Sequence, residues 1–174
     1  MTDLPALLDS ERIRCGCDIR SKKRALQTVA ELMGESLRAD ATAEAAAGGD
    51  GNGGDGAESV VSDMAILDAL ITRERLGSTG IGHGIALPHA RLANIDEPLA
   101  ALITLKEGVD FDSIDGEPVD VVLGLLVPEE CNDEHLKILA DLARRFSDEG
   151  LRRTLRTCES GETLLAELSA APGA

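Results

Sequence analysis

The run Val119-Asp-Val-Val-Leu-Gly-Leu-Leu-Val, closed by Pro128, constrains this chain more than any other stretch. Its apolar residues do not alternate with polar ones, it is rich in β-branched side chains, and it ends at a residue that cannot continue a ladder. Such a run reads as a strand buried on both faces. Residues 85–87 and 99–105 read as further strands, and helical patterns lie between and after them. The order of elements indicates an α/β layered domain. At 174 residues the chain fits one domain, 1–174, with a sizeable core. Only 1% of the residues are aromatic, so that core must be built from Leu, Ile, Val and Ala.

Leu4, Leu7 and Leu8 mark a short helical turn, and 13–19 alternates loosely as an edge strand. Ser21 is placed to cap a helix whose stripe is Ala25, Leu26, Val29, Leu32 and Met33. That helix is expected to fade near Leu37 or Arg38. Residues 39–61 then depart from the pattern. The alanine-rich first part could extend a helix, but six of the nine residues 48–56 are glycine. The reading is a flexible, solvated insertion at about 39–61, not a domain boundary. Ser62-Asp63 caps the next helix, which buries Ile66, Leu67, Leu70 and Ile71 and stops at Gly77. Residues 111–118 carry turn chemistry with Asp115-Gly116 at the tip. After Pro128, Asn132 or Asp133 caps a helix with Leu136, Leu139, Ala140, Leu142 and Ala143 on its apolar stripe. Two more helices cover about 149–156 and a segment from Ser160 or Gly161 through Leu168.

Charge bounds the partners. The formal net charge is −15, which argues against nucleic acid as a partner. Four of the 17 basic residues are lysine, a halophile-like surface balance. The N-terminus carries no basic leader and the chain has no long apolar run, so the cytoplasm is the expected compartment. Cys15, Cys17, Cys131 and Cys158 show no zinc-type double pair. Cys15 and Cys17 are expected on one side of a strand, which leaves a redox or metal role open, but the favoured expectation is reduced, structurally neutral thiols.

Chemistry concentrates in residues 73–92, Arg-Glu-Arg-Leu-Gly-Ser-Thr-Gly-Ile-Gly-His-Gly-Ile-Ala-Leu-Pro-His-Ala-Arg-Leu. No Walker loop is present, and a dinucleotide fingerprint would have to follow a strand, whereas these glycines follow a helix. Ser78 lacks the elbow of a hydrolase nucleophile. His83, His89 and His135 could in principle meet at a zinc ion, although no histidine pair has helical ligand spacing. His89 could instead act as a nucleophile towards phosphorus, because a neutral imidazole is competent near neutral pH. Phosphoryl transfer needs positioning and charge stabilisation. The glycine-rich loop could offer backbone N–H groups, Arg73 a planar fork of donors, and His135 a second imidazole. Residues alone leave a structural Pro-His, a metal site and a phosphoryl acceptor all open. Arg91 reads equally as a phosphate contact or a surface arginine, and His83 as a solvent-facing loop residue.

The order Arg73-Glu74…Ser78-Thr79-Gly80-Ile81-Gly82-His83-Gly84-Ile85-Ala86-Leu87-Pro88-His89 closely resembles the active-site signature of enzyme IIA components of the sugar phosphotransferase system. The likeness is to the fructose/mannitol type, which includes the nitrogen-regulatory IIA proteins. Residues 111–120, 125–128 and 134–140 also resemble that family, so the likeness spans most of the chain outside 39–61. The resemblance implies a single-domain α/β fold, a mixed β-sheet with helices on both faces. It implies that His89 accepts a phosphoryl group from an HPr-type phosphocarrier, or its nitrogen-branch counterpart, and passes it to a IIB component for fructose-type sugar uptake. The membrane would enter only indirectly, through the sugar permease. The alternative is a nitrogen-regulatory protein whose phosphorylation state controls binding to partner proteins. His135 would support the phosphoryl group, Arg73 would stabilise its charge, and Thr79 would contribute a hydroxyl. No metal or organic cofactor is implied. An acidic chain of this kind is expected to dock through a mainly apolar surface around His89.

Overall fold

The computed structural model describes residues 4–47, 62–93, 95–130 and 133–170. A short helix α1 (Leu4–Leu7) and a 3-10 turn lead into strand β1 (Ile13–Cys17), then helices α2 (Lys22–Ala47) and α3 (Asp63–Leu76). Strands β2 (Gly80–Gly82), β3 (Ile85–Ala86), β4 (His89–Leu92), β5 (Leu99–Val109) and β6 (Val119–Pro128) follow. Helices α4 (Asp133–Phe146), α5 (Glu149–Thr157) and α6 (Gly161–Ala170) close the chain. The strands form one six-stranded mixed sheet in the order β1-β5-β6-β3-β2, with β4 also paired to β6. β5 and β6 are antiparallel; β1 runs parallel to β5, and β3 and β4 run parallel to β6.

The unbroken apolar run from Val119 to Pro128 is β6, and nearly all of it is buried. Alternate residues feed two cores, one on each face of the sheet. On one face Val122 and Leu126 pack with Ala101 and Ile103 against α2 and α3. On the other, Val121, Leu123, Leu125 and Val127 pack with Leu142, Phe146, Leu155, Leu164 and Leu168 of α4, α5 and α6. Gly124 permits the close approach of α2, because an added Cβ would stand 3.1 Å from Val29 and Met33 side-chain atoms.

Caps behave as their residues dictate. Ser21 Oγ accepts from Arg24 N, Ser62 Oγ from Ala65 N, and Ser160 Oγ from Thr163 N. α2 does not fade near Leu37 or Arg38 but continues to Ala47. The alanines at 41, 43 and 45–47 are strong helix formers, and no Gly or Pro intervenes before 48. The expected insertion is therefore helical over 39–47, while 48–61 lies outside the described residues. Asn132 also lies outside them, and α4 begins at Asp133.

α4 turns Leu139, Leu142 and Ala143 of the expected stripe inward, but not Leu136 and Ala140. His135, Leu142 and Phe146 are buried, whereas Leu136 is 63% exposed and Ala140 is exposed. The polar His135 takes the inward place of its apolar neighbour, a substitution that apolar periodicity does not detect.

The cysteines also differ from expectation. Gly16 takes a left-handed φ of +67° and the β1–β5 register shifts between Arg14 and Cys17. This bulge turns Cys17 towards the α2 face and leaves Cys15 on the other. Cys15 is joined to Cys158, at the end of α5, in a disulfide with a Cα–Cα distance of 6.2 Å. Cys17 is a free thiol whose pKa burial pushes up. Cys131 lies outside the described residues. Among the described residues, no helix is long and apolar enough to cross a membrane.

Candidate functional site

The glycine-rich stretch is a tight hairpin rather than an open loop. β2 and β3 pair antiparallel around the two residues His83 and Gly84. Both have positive φ, 57° and 77°, as a two-residue type I′ hairpin turn requires. Its N–H groups serve the protein. Thr79 N donates to Glu74 Oε1, Gly80 N to Ser78 Oγ, His83 N to Asp115 Oδ2 and Leu87 N to Thr79 O. The expectation that this stretch cradles a phosphate therefore fails for these four amides. Gly80 is needed for packing: a Cβ there would collide with Ser113 Oγ.

β3 and β4 lie along the same edge of β6, interrupted at Leu87-Pro88. Pro88 offers no N–H, although its carbonyl still accepts from Leu125 N. Within the break, the Leu87 carbonyl accepts a hydrogen bond from His89 Nδ1 at 2.9 Å. His89 thus lies just past β3 and is the first residue of β4. Ala90 belongs to the core beneath α2 and α3. By alternation, His89 and Arg91 face the α4 side.

Three residues separated in sequence converge here. Arg73, in the last turn of α3, donates Nε to His89 Nε2 at 3.1 Å and Nη1 to the Gly77 carbonyl at 3.0 Å. The buried His135 ring lies 5.3 Å from that of His89, tilted by 54°. The hydrogen bonds define the tautomer of the half-buried His89: Nδ1 holds the proton for Leu87, and Nε2 holds the lone pair. Burial pushes the His89 pKa below its ordinary 6.5; the Leu87 carbonyl opposes this, the Arg73 cation adds to it, and Glu74 opposes it. His135 is also lowered, first by burial and then by His89, Arg91 and Arg73. Its Nδ1 is buried without a hydrogen-bond partner. The site is therefore a neutral imidazole pair beside cationic arginines on an acidic chain. It can offer a lone pair at Nε2 and attract an anionic group.

Thr79 is placed differently. It is buried, and its hydroxyl donates to Glu74 Oε2 at 2.5 Å. His83 is exposed at the hairpin turn, where its carbonyl accepts from Arg156 Nη2. The possible zinc trio of His83, His89 and His135 is not assembled, and among the described residues no group of three or more His, Cys, Asp or Glu side chains is arranged to hold a metal. Glu74 and Lys22 were missed as site residues. Glu74 stood in the signature beside Arg73 and was the one available clue; nothing in the sequence singles out Lys22.

Residues 6–171 match the family model for the phosphoenolpyruvate-dependent sugar phosphotransferase system, EIIA 2. A nitrogen regulatory protein of Pseudomonas aeruginosa is 37% identical over 145 residues, covering 83% of this chain and 80% of that protein. The crystal structure of nitrogen regulatory protein IIA-Ntr from Neisseria meningitidis superposes with a TM-score of 0.76 at 33% identity, covering 96% of this chain and 99% of that one. The fructose-specific EIIA component of Haloferax volcanii is 39% identical over 100 residues, covering 58% of this chain and 65% of that protein.

Proposed function

The chain belongs to the EIIA 2 family of the phosphoenolpyruvate-dependent sugar phosphotransferase system, and on that premise we propose that it is a nitrogen-regulatory type phosphoryl carrier that accepts its phosphoryl group on Nε2 of His89. The observation that carries this reading is the His89 ring itself. Nδ1 is committed to the Leu87 carbonyl, so the lone pair resides on Nε2, in front of the Arg73 guanidinium.

In the proposed step, Arg73 moves off the lone pair and onto the phosphoryl oxygens. Nε2 then forms the new P–N bond. The bond from phosphorus to the donor's histidine nitrogen breaks, and its electron pair returns to the donor ring. The proton stays on Nδ1, hydrogen-bonded to the Leu87 carbonyl throughout, so no general base is needed. His135, whose ring centre lies 5.3 Å from that of His89, would support the transferred group from its other ring nitrogen. An HPr-type phosphocarrier of the nitrogen branch is the proposed donor. Leu76, three residues beyond Arg73, is 81% exposed, and the exposed Leu136 adjoins His135. Both support an apolar docking surface near the acceptor.

The regulatory reading is favoured over fructose-type uptake by the extent of the relatives. The nitrogen regulatory proteins match most of the chain, whereas the fructose-specific component matches 58% of it. The second reading, transfer to a IIB component, keeps the same acceptor. The test is to phosphorylate the protein with phosphoenolpyruvate, enzyme I and a cognate phosphocarrier, then add candidate IIB domains. One acid-labile phosphoryl group that IIB domains do not discharge is expected. Rapid discharge to a IIB domain would overturn the regulatory reading in favour of uptake. Failure of the folded protein to take up a phosphoryl group would overturn both.

A further inference from the structure

A buried carboxylate stands one residue from Arg73 and takes no part in the step above. The Glu74 side chain is 6% exposed. Burying a carboxylate is costly unless its oxygens are paired and hydrogen-bonded. Here both are. Oε1 accepts from Thr79 N at 3.0 Å and from Lys22 Nζ at 2.7 Å, and Oε2 accepts from the Thr79 hydroxyl at 2.5 Å. Lys22 is itself fixed: it lies 5.3 Å from the centre of the Phe111 ring and reaches the Phe111 carbonyl, which also accepts from Ser78 Oγ.

The network does not stop at Thr79. The Thr79 carbonyl accepts from Leu87 N at 3.0 Å, and the Leu87 carbonyl accepts from His89 Nδ1 at 2.9 Å. A continuous chain therefore runs from Lys22 through Glu74, Thr79 and Leu87 to the imidazole. At Thr79 and Leu87 the N–H and the C=O belong to neighbouring peptide groups joined at Cα, so what the chain transmits is position. The end of the chain is the group that decides which ring nitrogen holds the proton.

We propose that Glu74 is a positioning residue for His89: by holding Thr79 it fixes the Leu87 carbonyl, and so the tautomer that leaves the lone pair on Nε2. Without that anchor, a displaced Thr79 would carry the Leu87 peptide with it through the Leu87 N to Thr79 O bond. A neutral ring that lost its carbonyl partner would divide its proton between both nitrogens. Molecules with the proton on Nε2 would present the acceptor lone pair to backbone instead of to the phosphoryl donor. Thr79 thereby acts through its hydrogen bonds to Glu74 rather than as a hydroxyl on the phosphate. The consequence for transfer rests on His89 being the phosphoryl acceptor; the consequence for the ring does not.

The experiment reads the ring directly. Long-range proton–nitrogen NMR of the unphosphorylated full chain at mildly alkaline pH reports which His89 nitrogen is protonated. It would be run on wild type, Glu74→Ala, Glu74→Gln and Thr79→Val, beside phosphoryl uptake by intact mass. Wild type is expected with the proton on Nδ1. In Glu74→Ala the Nε2–H form should become a major species and uptake should slow by about tenfold to a hundredfold, the scale of a misplaced reacting group. Thr79→Val should show a smaller change of the same kind, and Glu74→Gln, which keeps an acceptor for Thr79 N, should recover part of it. Unchanged ring signals in folded Glu74→Ala and Thr79→Val would overturn the proposal, because a carboxylate that merely ties down a helix end changes stability and not the tautomer. If Glu74→Ala does not fold, unchanged signals in Thr79→Val and Glu74→Gln overturn it alone. A changed tautomer in a protein that never takes up phosphate would support the positioning role and refute the carrier reading instead.

Discussion

His83 and His89 lie in the same short signature, each beside glycine or proline and each with an arginine in contact. The fold treats them in opposite ways. At His83 it uses the backbone: the N–H donates to Asp115, the carbonyl accepts from Arg156, and a positive φ turns the hairpin. At His89 it uses the ring: both nitrogens are engaged, one by the Leu87 carbonyl and one by Arg73, with a second imidazole 5.3 Å away. Arg156 is spent on Asp120 as well as His83, a salt bridge that clasps α5 to the start of β6. Arg73 keeps its contact to the imidazole. An imidazole becomes a candidate nucleophile when the fold fixes which nitrogen keeps its lone pair, and its presence in a motif is not enough.

The largest expected effect separates the two histidines outright. His89→Gln should reduce phosphoryl uptake to background, while His83→Gln should stay within about twofold of wild type because its ring makes no contribution to the acceptor. Intact mass after incubation with donor reads both. The arginines come next. Arg73→Ala should slow uptake by about a hundredfold, the scale for losing one preorganised donor to developing charge. Arg156→Ala should leave uptake nearly unchanged and lower stability by about 1 kcal/mol, a discounted value for a half-exposed pair.

The disulfide sharpens the contrast on the stability side. Cys15–Cys158 closes a separation of 143 residues and ties β1 to the Arg156 end of α5. Cys15→Ser should lower unfolding stability by about 2 kcal/mol under oxidising conditions, within the usual range for removing such a cross-link. Urea denaturation would measure it, and the rate of uptake should not follow. The smallest effect is in pH. Both His89 and His135 are shifted below 6.5, so as pH falls the unfolded chain takes up these protons first. Their contribution to stability is full above the ordinary value and is lost as pH drops through the folded values. Uptake should accordingly persist at pH 6.5 and decline only below it, in parallel with the His89 ring titration followed by NMR.

Much of this was legible in the sequence because it rests on local rules. Ser21, Ser62 and Ser160 announce helix starts, and the unbroken apolar run of β6 announces a strand covered on both faces. The resemblance points to Arg73 and His89 in the signature and to His135 in residues 134–140, and the fold brings the three together. What was not legible depends on partners distant in sequence or on small backbone choices. Cys158 meets Cys15 across the whole chain. The Gly16 bulge moves Cys17 to the other face. His135 turns inward ahead of Leu136, and the glycine stretch closes as a hairpin because His83 and Gly84 both accept positive φ. From sequence Thr79 reads as a hydroxyl for the phosphate, because nothing local shows that Glu74 holds it.

The most direct test of the central claim is to locate the phosphoryl group. After transfer from a cognate phosphocarrier, phosphorus–nitrogen NMR of the full chain would identify the modified ring atom. The account predicts one phosphoryl group, on Nε2 of His89, with the proton retained on Nδ1. A phosphoryl group on Nδ1 of His89, on His83 or His135, or on a hydroxyl would contradict it.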